Sequence, residues 1–293
     1  MNYRIVHRTT SSYLSPVPVG KHVACLHPRT LVGQTLTKCE LNIKPAPASL
    51  SERVDYFGNL LYFFIVQEPH KQLVVEAKSE VKIDRDPTPA LPQNSPPWEE
   101  VVRLLPRDQT AAGLEAYEFS FESPRIKQRE EFASYALESF SPGRPIIEGL
   151  LDLTARIHND FRFDSKVTNV RTTTDEVFRK RRGVCQDFAH FQIACLRSLR
   201  LSARYVSGYL RTYPPPGQPR LVGADASHAW VSAHCPGFGW VDLDPTNNVV
   251  PSNEHVTLAW GRDYGDVSPL YGVIQGGGSH VLKVAVDLEE FEE

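Results

Sequence analysis

A proline-rich segment divides this chain into two parts with different sequence patterns. Residues 86–98 contain five prolines. Proline at this density cannot continue a helix or a central strand, because it lacks the backbone N–H and fixes φ. The segment therefore predicts a stiff linker between two domains, and a length of 293 residues is enough for about two.

The part before the linker has the pattern of β strands. Apolar and β-branched runs bounded by Pro, Gly and Asn recur through residues 1–85 without helical periodicity. Runs of this kind predict an antiparallel, β-sandwich-like domain over residues 1–85.

The part after the linker, residues 99–293, mixes helical and strand patterns, so the chain as a whole is predicted to be α+β. Apolar residues at helical spacing predict helices within 99–108, 124–140 and 144–163, and a further helix from Cys185 onward. Strand-like runs lie within 203–213, 227–235, 237–245 and 279–290, and residues 272–278 read as a flexible turn.

Composition and charge exclude several classes of function. The formal net charge of -3 gives no general attraction to nucleic acid or to an anionic membrane. The N-terminus has no apolar run long enough for a signal peptide or a membrane span, which predicts a cytoplasmic protein. The five cysteines are odd in number and no pair has CxxC spacing, which argues against a disulfide framework or a zinc ribbon. No metal site or cofactor is predicted.

The sequence GVCQDFAHF places a cysteine where a reactive thiol is expected. Gly183 allows a sharp turn, and Cys185 then lies in the first turn of the predicted helix. Unpaired N–H groups and the helix dipole favour a thiolate there and could hold an oxyanion. Taken alone, Cys185 is better explained as a small buried residue at a helix start.

A histidine and an aspartate follow at spacings that suit cysteine catalysis. His228 lies on a predicted strand 43 residues after Cys185, and Asp244 lies 16 residues after His228, at the end of the next strand. Sixteen residues suffice for two adjacent antiparallel strands, so the carboxylate can accept a hydrogen bond from the imidazole and orient it. A core histidine and a turn-forming Asp-Pro are the alternatives for each residue alone.

The blocks GVCQDFAH, SHAW and GWVDLDPTNN resemble the three signature blocks of the transglutaminase-like superfamily, bacterial branch. The opening YRIVHRTTSSY is similar to the β-rich N-terminal region common in that branch. The resemblance implies a papain-like fold in which a helix bearing the cysteine packs on an antiparallel sheet. It implies a catalytic domain at 99–293 with its core at about 145–250, and Cys185, His228 and Asp244 as the catalytic residues.

The neighbours of the nucleophile define the limits of this resemblance. Gln186 stands where animal protein-crosslinking transglutaminases resemble each other in having tryptophan, and Asp263 and Asp266 alone are too few oxygen ligands for a calcium loop. Gln186, Asp187 and Trp230 are predicted to lie near the substrate or the oxyanion. A helix cap is the alternative for Asp187 and core packing the alternative for Trp230.

The sequence therefore predicts cysteine-dependent acyl transfer, or hydrolysis of an amide or peptide, through a thioester. The predicted partners are a peptide or protein substrate and an amine acceptor, with water as the other acceptor, and neither nucleic acid nor membrane. The alternative is a catalytically idle scaffold of the same fold that binds a peptide.

Overall fold

The N-terminal residues form the antiparallel strands that their apolar runs predict. The computed structural model describes residues 1–86, 91, 94–168, 172–212 and 226–292. Buried and exposed side chains alternate along most of the first strand, as expected for a strand with one covered face. Six strands precede the proline-rich segment: β1 (Asn2–Val17), β2 (Val19–Ala24), β3 (Gln34–Lys44), β4 (Ser49–Val54), β5 (Leu60–Val66) and β6 (His70–Ile83).

The helices follow the proline-rich segment. They are α1 (Trp98–Leu104), α2 (Ala111–Glu118), α3 (Glu130–Leu137), α4 (Ile146–Asp160), α5 (Thr174–Lys180) and α6 (Cys185–Ser198). Of the predicted linker, residues 87–90 and 92–93 lie outside the described residues, and its last residue, Trp98, already belongs to α1. Within the described part of the chain, no helix is long and apolar enough to cross a membrane.

Several helices differ from the sequence prediction. Helix α5 was not predicted, and the helices predicted over 99–108 and 144–163 end at Leu104 and Asp160. The helix expected over 124–140 begins only at Glu130, because Ser123 and Ile126 pair through their backbones in a turn and the Gln128 N–H donates to the Glu122 side chain. Helix α2 was not predicted. It begins where the Thr110 hydroxyl accepts a hydrogen bond from Gly113 N–H.

A four-stranded antiparallel sheet lies beside α6. Its strands are β9 (Ala203–Leu210), β10 (Ala226–Cys235), β11 (Gly239–Leu243) and β12 (His255–Gly261), in the order β11-β10-β9-β12. The last residue of the strand predicted over 203–213 lies outside the described residues. Residues of α6 and of this sheet share one hydrophobic core. The predicted α+β architecture, with the cysteine-bearing helix on an antiparallel sheet, is therefore confirmed. A short parallel pair, β7 (Arg162–Phe163) and β8 (Arg182–Gly183), leads into α6.

The C-terminal strands β13 (Leu270–Gln275) and β14 (His280–Phe291) return to the N-terminal part of the chain. Strand β14 pairs with β1 from Asn2 to Tyr13, in a sheet of order β14-β1-β6-β3, and β13 completes a second sheet of order β13-β2-β5-β4. The two ends of the chain, placed in separate domains by the sequence analysis, thus share one sheet. The prediction of a flexible turn over 272–278 is wrong for residues 272–275, which pair with β2. The three glycines that follow lie between β13 and β14, all at positive φ.

A second hydrophobic core joins the N-terminal sheets to the sheet that carries β9 and β12. Tyr3, Ile5 and Val286 from the first sheet meet Tyr209 and Val256 from the other. Strands β1 and β14 are therefore held close to the four-stranded sheet beside α6.

Candidate active site

Cys185 occupies the first position of α6, and the residues around it fix the start of that helix. The carboxylate of buried Asp187 accepts a hydrogen bond from Val184 N–H at 2.9 Å. Burial raises the pKa of Asp187 despite this bond. A Cβ atom at Gly183 would lie 2.7 Å from Asp187 Oδ2, so only glycine fits there without displacement of the carboxylate. The GVCQD sequence thus forms a capped helix start that holds Cys185 in position.

The first turn of α6 directs backbone N–H groups toward the region around Cys185. The hydrogen bonds of this turn begin with the N–H groups of Asp187 and Phe188, which donate to Val184 O. The N–H groups before them, on Cys185 and Gln186, precede the intrahelical ladder, where donors carry the positive end of the helix dipole. Cys185 is half-buried and lines a cleft. This arrangement can hold a negative charge that forms beside the sulfur.

His228 is buried near the start of β10 and lies between a carboxylate and a thiol. Its Nε2 lies 2.7 Å from Asp244 Oδ2. Burial lowers the pKa of His228, but hydrogen bonds with Asp244 and Cys185 and the negative charges of these two groups outweigh burial and raise it to about 10. The imidazole is therefore favoured as imidazolium next to the sulfur.

Asp244 is fully buried directly after β11 and accepts hydrogen bonds through both carboxylate oxygens. Besides His228, Oδ2 accepts from Asn247 Nδ2 at 2.7 Å and from His255 Nε2 at 3.3 Å. Oδ1 accepts from the backbone N–H groups of Thr246 and Asn247 at 2.9 and 3.2 Å. Burial raises the pKa of Asp244, but the bonds from both histidines and Asn247 outweigh it and hold the pKa well below its usual range. The carboxylate is thus ionised and fixed toward His228.

Strand pairing explains how these groups meet. Strands β10 and β11 form the antiparallel hairpin that the spacing of His228 and Asp244 predicts, with Val231 opposite Leu243 and Cys235 opposite Gly239. Helix α6 packs against β10 and brings Cys185 to the same end of the hairpin. The structure therefore brings together the three residues that the sequence analysis selected as catalytic.

Two polar partners of Asp244 were missed by the sequence analysis. Asn247 lies three residues beyond Asp244, in the turn after Asp-Pro, and its position in the quoted block was an available signal. His255 opens β12, and its ring meets the Trp230 ring edge to face, with centroids 5.3 Å apart. No pattern in the sequence links His255 to Asp244, because only the fold of the sheet brings them together.

His228, Asp244 and His255 each offer one atom that could bind a metal ion, and these atoms lie within 4.8 Å of one another. Donor atoms held about 2.0 Å from a tetrahedral zinc ion are about 3.3 Å apart. The 2.7 Å between His228 Nε2 and Asp244 Oδ2 is shorter than that and fits a shared proton. The geometry is therefore that of two histidines hydrogen-bonded to one carboxylate.

A cleft of about 260 Å³ opens beside Cys185 and His228. Gln186 lines this cleft, in the neighbourhood that the sequence analysis assigned to it. Asp187 and Trp230 do not line it: Asp187 caps α6, and fully buried Trp230 donates its indole N–H to Asp242 at 3.2 Å. For these two residues the structure matches the alternatives of a helix cap and core packing.

Two family models match the chain. Residues 3–82 match the bacterial transglutaminase-like N-terminal region, and residues 134–245 match the transglutaminase-like superfamily. The second match contains Cys185, His228 and Asp244.

Individual proteins and a solved structure are similar as well. An uncharacterized protein of Mycobacterium tuberculosis is 40% identical over 298 residues, which cover 99% of this chain and 93% of that protein. A protein-glutamine gamma-glutamyltransferase of Pseudomonas aeruginosa is 34% identical over 97 residues, 32% of this chain and 14% of that enzyme. A proposed cysteine protease from Cytophaga hutchinsonii, solved as a crystal structure, has a TM-score of 0.76 at 22% identity and covers 100% of this chain and 92% of its own. This last similarity shows a shared fold.

Proposed function

This chain belongs to the transglutaminase-like superfamily, and we propose that it is an enzyme whose Cys185 attacks an amide carbonyl of a peptide or protein substrate. One observation carries the proposal: His228 is hydrogen-bonded to Asp244 at 2.7 Å and lines the same cleft as Cys185. A buried histidine held this way has the geometry of a catalytic base with its orienting group.

The reaction begins when Cys185 gives its thiol proton to His228, which forms the imidazolium that Asp244 stabilises. The sulfur forms a bond to the amide carbon, and the negative charge on oxygen is stabilised by N–H groups at the start of α6. His228 then gives its proton to the nitrogen as the carbon–nitrogen bond breaks, which releases an amine or ammonia and leaves a thioester on Cys185. The now neutral imidazole takes a proton from an amine or a water molecule, which attacks the thioester and frees the sulfur.

The amide of a glutamine side chain is the substrate group we propose. The region of similarity to the Pseudomonas aeruginosa protein-glutamine gamma-glutamyltransferase supports it, since that enzyme's name specifies glutamine as the acyl donor. A primary amine as acceptor gives transfer, and water gives hydrolysis. The cysteine, histidine and aspartate serve both outcomes equally.

An assay with a glutamine-containing peptide and a labelled primary amine tests the proposal and separates the two outcomes. Incorporation of the label means acyl transfer, and release of ammonia without incorporation means hydrolysis. Cys185→Ala should abolish either signal. Cys39→Ala is the matched control, because Cys39 is also half-buried but lies on β3, away from the cleft.

Equal turnover by wild type and Cys185→Ala would contradict the proposal. If neither protein turns the peptide over and both bind it, the alternative of a scaffold that binds peptides without reacting with them is favoured.

A further inference from the structure

The wall of the cleft beside Cys185 includes strands from outside the four-stranded sheet that carries His228. His7 and Thr9 of β1 and Leu282 and Val284 of β14 line the same cleft as Cys185. We propose that this sheet, built from the two ends of the chain, selects the substrate by binding an apolar side chain next to the reactive amide on Leu282 and Val284. The inference rests on the proposed function and assigns its substrate class.

Leu282 and Val284 continue a row of side chains that begins in the hydrophobic core. In β14, Leu282, Val284 and Val286 lie opposite alternate residues of β1, so all three point to the same face of the sheet. Val286 is 1% exposed and belongs to the core, whereas Val284 is 46% and Leu282 58% exposed. Val286 is covered by the four-stranded sheet that carries His228, whereas Leu282 and Val284 are uncovered where the cleft opens. This apolar surface beside Cys185 is available to the substrate peptide that carries the reactive amide.

Among the described residues that line the cleft, the one cationic group is the His228 imidazolium, which is already paired with Asp244. These described lining residues include no Asp, Glu, Lys or Arg. His7 is neutral there, because burial lowers its pKa to about 4, and its ring nitrogens are occupied by the Tyr209 and Thr9 hydroxyls at 3.0 and 3.1 Å. A charged substrate residue would lose its hydration without gaining a partner. The wall therefore favours apolar residues and excludes charged ones.

Strand β14 also provides a matched control. Val281 is 70% exposed and apolar, but it points to the opposite face of the same strand and does not line the cleft. A serine at position 281 removes exposed apolar surface from β14 and leaves the cleft wall intact.

The test uses the full-length chain and hexapeptides with one glutamine flanked on both sides by Leu, by Glu or by Lys. Turnover is measured as kcat/KM, and binding is measured by calorimetry with Cys185→Ala. The wild type should prefer the Leu-flanked peptide by about tenfold, the size of selection that a hydrophobic contact gives. Val284→Ser should reduce this preference mainly through KM, and Val281→Ser should leave it unchanged. Leu282→Lys should shift the preference to the Glu-flanked peptide, a gain that misfolding cannot produce.

Three results have separate meanings. Turnover without any preference among the peptides, or an unchanged preference in Val284→Ser and Leu282→Lys, overturns this inference and leaves the proposed chemistry standing. Binding of the Leu-flanked peptide about tenfold more tightly than the others, without turnover by the wild type, supports this inference and overturns the chemistry. Neither binding nor turnover of any peptide overturns both.

Discussion

Replacing Asp244 by asparagine should slow the reaction through His228 while leaving the shape of the site nearly unchanged. The pKa of His228 is raised from 6.5 to about 10 by Asp244 and Cys185. At about 1.4 kcal/mol for each pKa unit, this is about 5 kcal/mol in favour of the imidazolium. Asp244→Asn removes the charge-assisted hydrogen bond to this imidazolium, and such a bond contributes about 2–3 kcal/mol. The expected loss in kcat/KM is about 30- to 150-fold.

The pH dependence of Asp244→Asn gives a second, independent readout. In the wild type, His228 stays protonated until the pH approaches its raised pKa of about 10, so activity that needs the imidazolium should be lost only as the pH rises through that value. Without the carboxylate, burial lowers the pKa of His228 with less opposition, and the alkaline limb should move toward neutral pH.

The assay measures label incorporation or ammonia release from a glutamine peptide. The pH is varied from roughly 6 to 10.5, which covers the range over which His228 is expected to lose its proton in the wild type and in the variant. Asp242→Asn is the matched control, because Asp242 lies two residues earlier and accepts a hydrogen bond from Trp230 rather than from His228. Thermal unfolding of both variants separates a catalytic loss from a folding defect. A kcat/KM for Asp244→Asn equal to that of Asp242→Asn, with an unshifted pH profile, would refute the reasoning.

Further predictions concern the groups that support the site and the C-terminal strand. His255→Leu should lower kcat about tenfold with little change in KM, because it removes a hydrogen-bond donor to the Asp244 carboxylate. His255→Gln keeps an N–H donor and should recover most of the lost kcat. Equal defects in both variants would argue against a positioning role for His255. Gly183→Ala should lower the free energy of unfolding by about 1–3 kcal/mol in urea titrations, because its Cβ would lie 2.7 Å from Asp187 Oδ2, and an unchanged midpoint would count against this packing. Val286→Ala should lower the free energy of unfolding by about 2 kcal/mol, because Val286 is 1% exposed. Val281→Ala should lower it by less than about 0.5 kcal/mol, because Val281 is 70% exposed. Similar losses in the two variants would place β14 outside the core.

The sequence is informative about the site wherever the information is local. Gly183, Cys185 and Asp187 lie within one helix start, so turn chemistry and capping predict their arrangement. His228 and Asp244 lie on one hairpin, and their 16-residue separation is enough to place them side by side.

The sequence is uninformative where contacts join distant parts of the chain. Strand β14 pairs with β1 across almost the whole chain length, and neither strand's alternation specifies its partner. For the same reason the cleft wall of Leu282 and Val284 and the contact of His255 with Asp244 appear only in the folded protein. Helix α2 was missed because its buried side consists of Gly113 and Ala116, whose small side chains give no clear apolar period.

The rate of alkylation of Cys185 by iodoacetamide at pH 6.5 measures how strongly His228 activates the sulfur, without any assumption about the substrate. Mass spectrometry of the folded protein follows the reaction for each cysteine. Cys39 is the internal reference, because it is also a half-buried free thiol. Cys185 is predicted to react at least about tenfold faster than Cys39, and to lose this advantage in Asp244→Asn. Reaction of Cys185 no faster than Cys39, or at the same rate with and without the carboxylate, would contradict the role assigned to His228.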